Sequence, residues 1–219
     1  MERHFHEQLA ELKTRLVTMG TLAETMIADA VHVLVEREAA RAPGVYEAEK
    51  TVNRMQVEVD EICFTLTALQ QPAATDLRFI LGSIKTNSDL ERLADEAVNI
   101  CNKALRLLDQ APLKPFEILP RMAAVARSML KDSLDAFVSL DTAKARQVLQ
   151  RDDEVDLMKA EVTQELVAIM TREPGAVPRA LALILIARNI ERVADHATNI
   201  AENVIFVVEG RDVRHHLAE

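Results

Sequence analysis

The sequence predicts an all-α protein, and three observations carry that prediction. Leu, Ala, Val, Glu, Arg and Met dominate its 219 residues, while Gly numbers 5 and Trp is absent; most of these common residues lose little on entering a helix. Apolar positions recur at alternating spacings of four and three, the period of helices packed in a bundle. Pro- and Gly-containing clusters then cut this pattern into segments. No stretch alternates polar and apolar residues long enough to read as a strand.

The first helix is marked by Phe5, Leu9, Leu12, Leu16, Met19, Ala23, Met26, Ala30 and Val33, and RAPG (Arg41–Gly44) should end it. A second runs from about Val45 to Leu69 and stops at QQPAATD, and a third continues to about Leu108. DQAPLKP (Asp109–Pro115), with two prolines, is the best domain boundary in the chain. The fourth helix is expected from about Phe116 to Leu140, with Asp141 or Thr142 placed to cap a fifth that extends to about Met170. REPGAVP (Arg172–Pro178) breaks the pattern, and a sixth helix reaches about Glu209. The expectation is six long helices forming two similar antiparallel three-helix bundles, residues 1–110 and 111–219.

The similarity of the halves is explicit in the letters. Asp89–Asn102 reads DLERLADEAVNICN and Asn189–Glu202 reads NIERVADHATNIAE, with seven of fourteen positions identical. VNRMQVEV (Val52–Val59) likewise aligns with VDLMKAEV (Val155–Val162). Packing alone would repeat apolar letters; here Glu, Arg, Asp and Asn repeat too.

Advancing about 100° per residue, Glu191, Asp195 and Glu202 form a polar stripe with Asn199, away from the centre of the apolar face. Glu91 and Asp95 form the matching stripe, continued by Asn99 and Asn102. Asp152 and Asp156 share a face on the fifth helix, as Glu49 and Asn53 do on the second. Like charges at i, i+4 destabilise a helix, a cost tolerated on a solvated face or one that pairs with neighbours such as Arg92 and Arg192. It is also what an oxygen-lined site for a hard cation looks like before the cation arrives. His196 falls off both faces and reads as a surface or interface histidine; His4, His6, His215 and His216 sit near the termini.

Composition excludes other classes. The net charge of −9 and the lack of a basic run disfavour nucleic acid as partner. Cys63 and Cys101 lie in apolar segments without metal-ligand spacing, and read as buried thiols of a reducing compartment. The N-terminus lacks a signal-type apolar region, and the longest apolar run, Ala180–Ala187, is too short to span a bilayer. A cytoplasmic protein is expected, meeting membranes only through partners. No ExxH pair of the di-iron bundles, nucleophile elbow or P-loop occurs, so binding is favoured over catalysis. A carboxylate-bridged metalloenzyme and a metal-free helical scaffold are the alternatives.

The paired ERLADEAVNI and ERVADHATNI segments, with QPAATDLRFI (Gln71–Ile80), resemble the PhoU family over essentially the whole chain. The resemblance implies two three-helix bundles and a non-enzymatic regulator of phosphate homeostasis. Such a protein couples a phosphate ABC transporter and its ATPase to a sensor histidine kinase, and represses the phosphate-starvation response when phosphate is plentiful. It also implies multinuclear metal clusters held by E/DxxxD motifs. By matching position the ligands would be Glu91 and Asp95 in one half and Glu191 and Asp195 in the other, with Glu49, Asp152 and Asp156 from the helix-two counterparts and Glu202 extending the stripe. Iron, zinc, manganese and magnesium all remain open as the metal, and a homodimer is the expected assembly. Two departures stand out. Asn53 replaces the aspartate that would complete the first site, and GAVPRAL (Gly175–Leu181) carries no equivalent of the DLR segment. Asp76 and Arg78 are therefore unique to one half, either as a helix-start salt link or as a partner contact.

Overall fold

In the computed structural model, which describes residues 2–70, 72–113 and 117–213, the chain is all-helical. The helices are α1 (Glu2–Val35), α2 (Ala42–Gln70), α3 (Ala74–Leu107), α4 (Ile118–Ser139), α5 (Thr142–Leu149), α6 (Asp152–Arg172) and α7 (Val177–Glu209). Short 3-10 turns precede α2 (Ala39–Arg41) and α7 (Pro174–Ala176). The expected start of the fourth helix at Phe116, and His215 and His216, lie outside the described residues.

The expected fifth helix is divided. Asp141 caps α5 by accepting from the Lys144 amide at 3.0 Å, as anticipated, but α5 stops after eight residues. Arg151 at the break reaches back to α4, donating to Asp132 at 3.1 Å and Ser128 at 3.2 Å. Asp152, Asp153 and Glu154 then occupy the first turn of α6, where acids favour the positive end of the helix dipole. Each half keeps a three-helix plan: α1 to α3 in the first, α4, α5/α6 and α7 in the second.

The first helix ends earlier than RAPG. Arg37 takes a positive φ of 59° after α1, and its guanidinium folds onto the C-terminus of α3. There it donates to the carbonyls of Leu107 at 3.3 Å, Gln110 at 2.9 Å and Leu108. They lie at and just beyond the end of α3, where carbonyls no longer find partners within the helix; that of Leu107 also accepts from the Gln110 amide at 3.2 Å.

Apolar stripes of all seven helices merge into one continuous core, in which Leu12, Leu16, Met19, Ile80, Leu93, Phe137, Ile190 and Val193 are fully enclosed. Cys63 and Cys101 are buried free thiols, and burial pushes Cys63 up to about 12. The halves meet along α3 and α7, the most extensive helix pair, with α1 against α4 beside it. Cross-seam pairs such as Asp89 with His196 and Glu96 with Asn189 show that α3 and α7 run antiparallel. These two pairs exchange under the hundred-residue offset of the sequence repeat, so a quasi-twofold axis crosses the seam between them. Gly82 permits the close approach: a methyl there would stand 2.5 Å from Val207 Cγ2 and 3.4 Å from the Phe137 ring.

Candidate functional site: two acidic faces and a buried polar seam

The duplicated helices α3 and α7 each present two polar rows. The outer row holds the acids that the sequence singled out. Glu91 and Glu191 are partly buried, and Asp95 and Asp195, one turn on, are exposed. Each row faces the second helix of its own half. In the first half Asp95 feels desolvation and then the charges of Glu49 and Glu96, which raise it. Glu91 is raised by desolvation, then by Asp95 and Glu49. In the second half Asp195 is pushed up to about 6 by desolvation, then by Glu191 and Asp152. Asp152 is raised by desolvation, then by Asp156, Asp153 and Glu191. The structure therefore brings Glu49, Glu91 and Asp95 together on one side, and Asp152, Asp156, Glu191 and Asp195 on the other. Glu202 lies two turns beyond Asp195, about 10 Å along α7.

The two clusters are balanced differently. On α2, Asn53 Nδ2 donates to Glu49, while Asn53 Oδ1 is buried without a hydrogen-bond partner. On α6, Lys159 Nζ lies 2.6 Å from Glu191 Oε1 and 3.6 Å from Asp156 Oδ1; the hydrogen bond to Glu191 is the largest influence raising the lysine. By the repeat alignment Lys159 corresponds to Gln56 and Asp156 to Asn53. Three carboxylates in one cluster face four carboxylates and an ammonium in the other, so both carry the same formal charge of −3. Oxygen-only donors of this kind suit hard divalent cations. As the side chains stand, no three His, Cys, Asp or Glu among the described residues converge closely enough to hold one metal ion. The orphan Asn53 oxygen fits such a cation in the first cluster, whereas Lys159 already supplies a cation to the second.

The inner row was not anticipated. Of the two positions expected for it, surface or interface, His196 takes an internal interface: it is 6% exposed, in the seam between α3 and α7. Its Nδ1 donates to Asp89 Oδ1 at 3.0 Å, the direction an acceptor-only carboxylate imposes. Asn199 adds a second hydrogen bond to the same oxygen at 3.2 Å. At the quasi-twofold position Asn189 donates to Glu96, and Arg192 Nε completes that acid at 3.1 Å. Arg192 thus crosses the seam to Glu96. Burial of this row follows from packing: α7 contacts α3 on one flank and α4, α5 and α6 on the other, so its enclosed arc is wider than one apolar stripe. The one available signal was that positions 89/189 and 96/196 stay polar in both repeats.

Asp76 and Arg78 separate. Arg78 Nε donates to the Val207 carbonyl at 3.0 Å and its Nη2 lies 3.5 Å from Thr75 Oγ1, tying the start of α3 to the end of α7. Asp76 lies in the first turn of α3 and borders a mostly apolar cleft with Phe79, Leu9, Lys13, Leu140 and Val207. Elsewhere on the surface, α2 exposes Val57 and Phe64, and α6 exposes Leu157 and Val167.

Comparison with known proteins agrees in sequence and in shape. The family model described as the PhoU domain matches residues 16–104 and again residues 119–204. A phosphate-specific transport system accessory protein PhoU homolog of Pseudomonas putida is 37% identical over 98% of this chain and 84% of its own length. The accessory protein PhoU of Escherichia coli K12 is 33% identical over 96% of this chain and 88% of its own. The crystal structure of PhoU from Pseudomonas aeruginosa superposes with a TM-score of 0.91 at 35% identity, covering 94% of this chain and all of that one. The regulatory protein PhoU from Streptococcus pneumoniae gives 0.88 at 28% identity, covering 95% and 99%.

Proposed function

Because this chain belongs to the PhoU family, we propose that it is a non-catalytic accessory regulator of phosphate transport and signalling, and that it couples a phosphate ABC transporter to a sensor histidine kinase. The observation that carries the reading is the near full-length relationship, in sequence and in fold, to proteins named as phosphate-transport accessories and regulators. Repression of phosphate-starvation genes when phosphate is plentiful is the output this role entails. Among the described residues no helix is long and apolar enough to cross a membrane, so contact with a transporter or kinase is assigned to protein surfaces. The apolar side chains that α2 and α6 hold out to solvent, Phe64 foremost at 75% exposure, support such docking. Self-association as a homodimer belongs to the same proposal, and light scattering on the purified protein checks it.

The acidic clusters are the second part of the reading. Glu49, Glu91 and Asp95 in one half, and Asp152, Asp156, Glu191 and Asp195 in the other, would take a divalent cation or small cluster through carboxylate oxygens. The metal is one of iron, zinc, manganese and magnesium. Desolvation first, and the neighbouring carboxylates after it, raise four of these acids above their ordinary range, and a bound cation relieves the repulsive part. Lys159 favours a different state for the second half, a cluster whose charge is partly offset from within and that serves as a docking face.

Two experiments separate the parts. Deleting the gene should derepress a phosphate-starvation reporter in high phosphate; unchanged repression would sink the regulatory reading. Elemental analysis of tag-free protein should show metal lost in the Glu91→Ala/Asp95→Ala variant, with helicity retained. A metal content equal to that of wild type would remove these residues as ligands.

A further inference from the structure

The buried seam opens to solvent at one place only partly accounted for by its structural hydrogen bonds. A pocket of about 260 Å³ lies between α3 and α7, lined by Lys85, Ser88, Asp89, Arg92, Asn199 and Asn203. It falls just below the size range of sites for drug-sized ligands. Neither Lys85 nor Arg92 forms an ion pair with any described residue; Lys85 rests instead over the Phe206 ring, 4.6 Å from its centroid. Asn203 is the decisive residue. It is only 4% exposed, yet its carboxamide makes no hydrogen bond to any described residue and faces this pocket. That carboxamide is not among the side-chain groups sealed from solvent without a partner; it is open at the pocket, where an external ligand can meet it.

The chemistry of that partner follows from the lining. Two cations and the carboxamide N–H₂ of Asn203 are donors, and the Ser88 hydroxyl can donate as well. Asp89 is the exception. Its Oδ1 is taken by His196 and Asn199, and a carboxylate in such a pocket only accepts. An anion bearing its own O–H satisfies both kinds of group; a fully ionised one leaves Asp89 repelled. At the quasi-twofold position the equivalents are Leu185, Arg188, Asn189, Arg192, Asn99 and Lys103, and there Arg192 is committed to Glu96. The cleft on that side is instead lined by Arg188, Arg192, Lys159, Glu191 and Asp195, so the set of Lys85, Ser88, Asp89, Arg92 and Asn203 belongs to one side of the seam.

We propose that this pocket binds a small protonated oxyanion of hydrogen-phosphate chemistry, held by Lys85, Arg92 and Asn203 and selected by Asp89. The assignment deepens the regulatory reading by giving the protein a ligand of its own. It is tested separately, because binding is read on purified protein and regulation in cells.

The test is calorimetric titration of the full chain with inorganic phosphate near neutral pH, repeated with sulfate and with glycerol 3-phosphate. Wild type should bind phosphate, and Arg92→Gln and Asn203→Leu should each weaken it by about tenfold or more, the scale of one charge-assisted hydrogen bond. Arg92 is exposed, so its substitution leaves the fold intact, and thermal melts check the Asn203 variant. Arg192→Gln should bind as wild type does. Sulfate should bind about tenfold more weakly than phosphate. Tighter binding of glycerol 3-phosphate would make an esterified phosphate the physiological form, and weaker binding the free ion; either supports the site. No phosphate binding at millimolar concentration, variants that bind like wild type, or sulfate binding as tightly as phosphate would each overturn it.

Discussion

Lys159→Gln places in the second half the residue that the first half carries at the matching position, Gln56. The substitution removes an ammonium 2.6 Å from Glu191 and 3.6 Å from Asp156, leaving the cluster at −4. Two effects of opposite sign should follow. A hydrogen bond between charged groups contributes about 1.5–3 kcal/mol when sheltered, and Lys159 is one-third exposed, so screening reduces the loss to about 1 kcal/mol. For a chain of this size that lowers the melting temperature by about 2–4 °C in chelator. Cation affinity should move the other way. A divalent ion about 6 Å from an ammonium is repelled by about 1.4 kcal/mol even at the dielectric of water, so removing Lys159 should tighten Mn²⁺ binding by at least about tenfold. Thermal melts in chelator and calorimetric Mn²⁺ titration read the two effects. A variant that melts like wild type and binds Mn²⁺ no better would refute the idea that Lys159 is the counter-ion of this cluster.

Gly82→Ala should destabilise despite its better helix propensity. Overpacking against the stiff, enclosed Val207 costs about 1–3 kcal/mol and the propensity gain returns about 1, a net loss readable in urea unfolding. Truncating His196 to Ala should cost about 2–4 kcal/mol, because the buried Asp89 carboxyl loses a hydrogen-bond partner; Asp89→Ala in the same background should add less than it does alone, which a double-mutant cycle measures. The raised acids set the pH response. Asp195 sits at about 6 against about 3.9 for a free aspartate, so the folded state binds this proton more tightly than the unfolded chain. Its contribution to stability therefore rises as pH falls through 6 and levels off below about 4. Asp195→Asn should accordingly be more stable than its parent at pH 8 in chelator, with the gap narrowing as pH falls through 6 and closing only below about 4; a pH-independent gap would contradict the assignment. Arg37→Ala should expose the last carbonyls of α3 and cost about 1 kcal/mol.

Much of the architecture was legible in the chain because helical period and Pro/Gly punctuation are local properties. The fourteen-residue repeat located α3 and α7 and their acidic rows, and Asp141 announced its cap. The break between α5 and α6 was missed because Gln150 and Arg151 are ordinary helix formers; Asp152-Asp153-Glu154 was the sole hint of a new N-terminus. The inner polar row was missed for a different reason. A helical wheel assigns one buried arc, and the burial of Asp89, Glu96 and His196 depends on a second helix closing the other flank. The same limit hid Lys159: its position on α6 is readable, but the reach of a four-carbon side chain to Glu191 on another helix is not. Arg78 likewise found a carbonyl 129 residues away rather than the aspartate two residues before it.

The antiparallel seam of α3 and α7 has a consequence for how the acidic faces can work. Had this quasi-twofold joined two separate copies, both faces would be bound to remain identical. Joined in one polypeptide, they are released from that constraint, and Asn53/Gln56 against Asp156/Lys159 records their divergence. On the proposed reading, two unlike cation sites in one chain would fill in a fixed order as the ion becomes available, through three states of occupancy. Such an ordered ladder would give a single chain a graded response, where a symmetric pair would offer only two interchangeable half-filled forms.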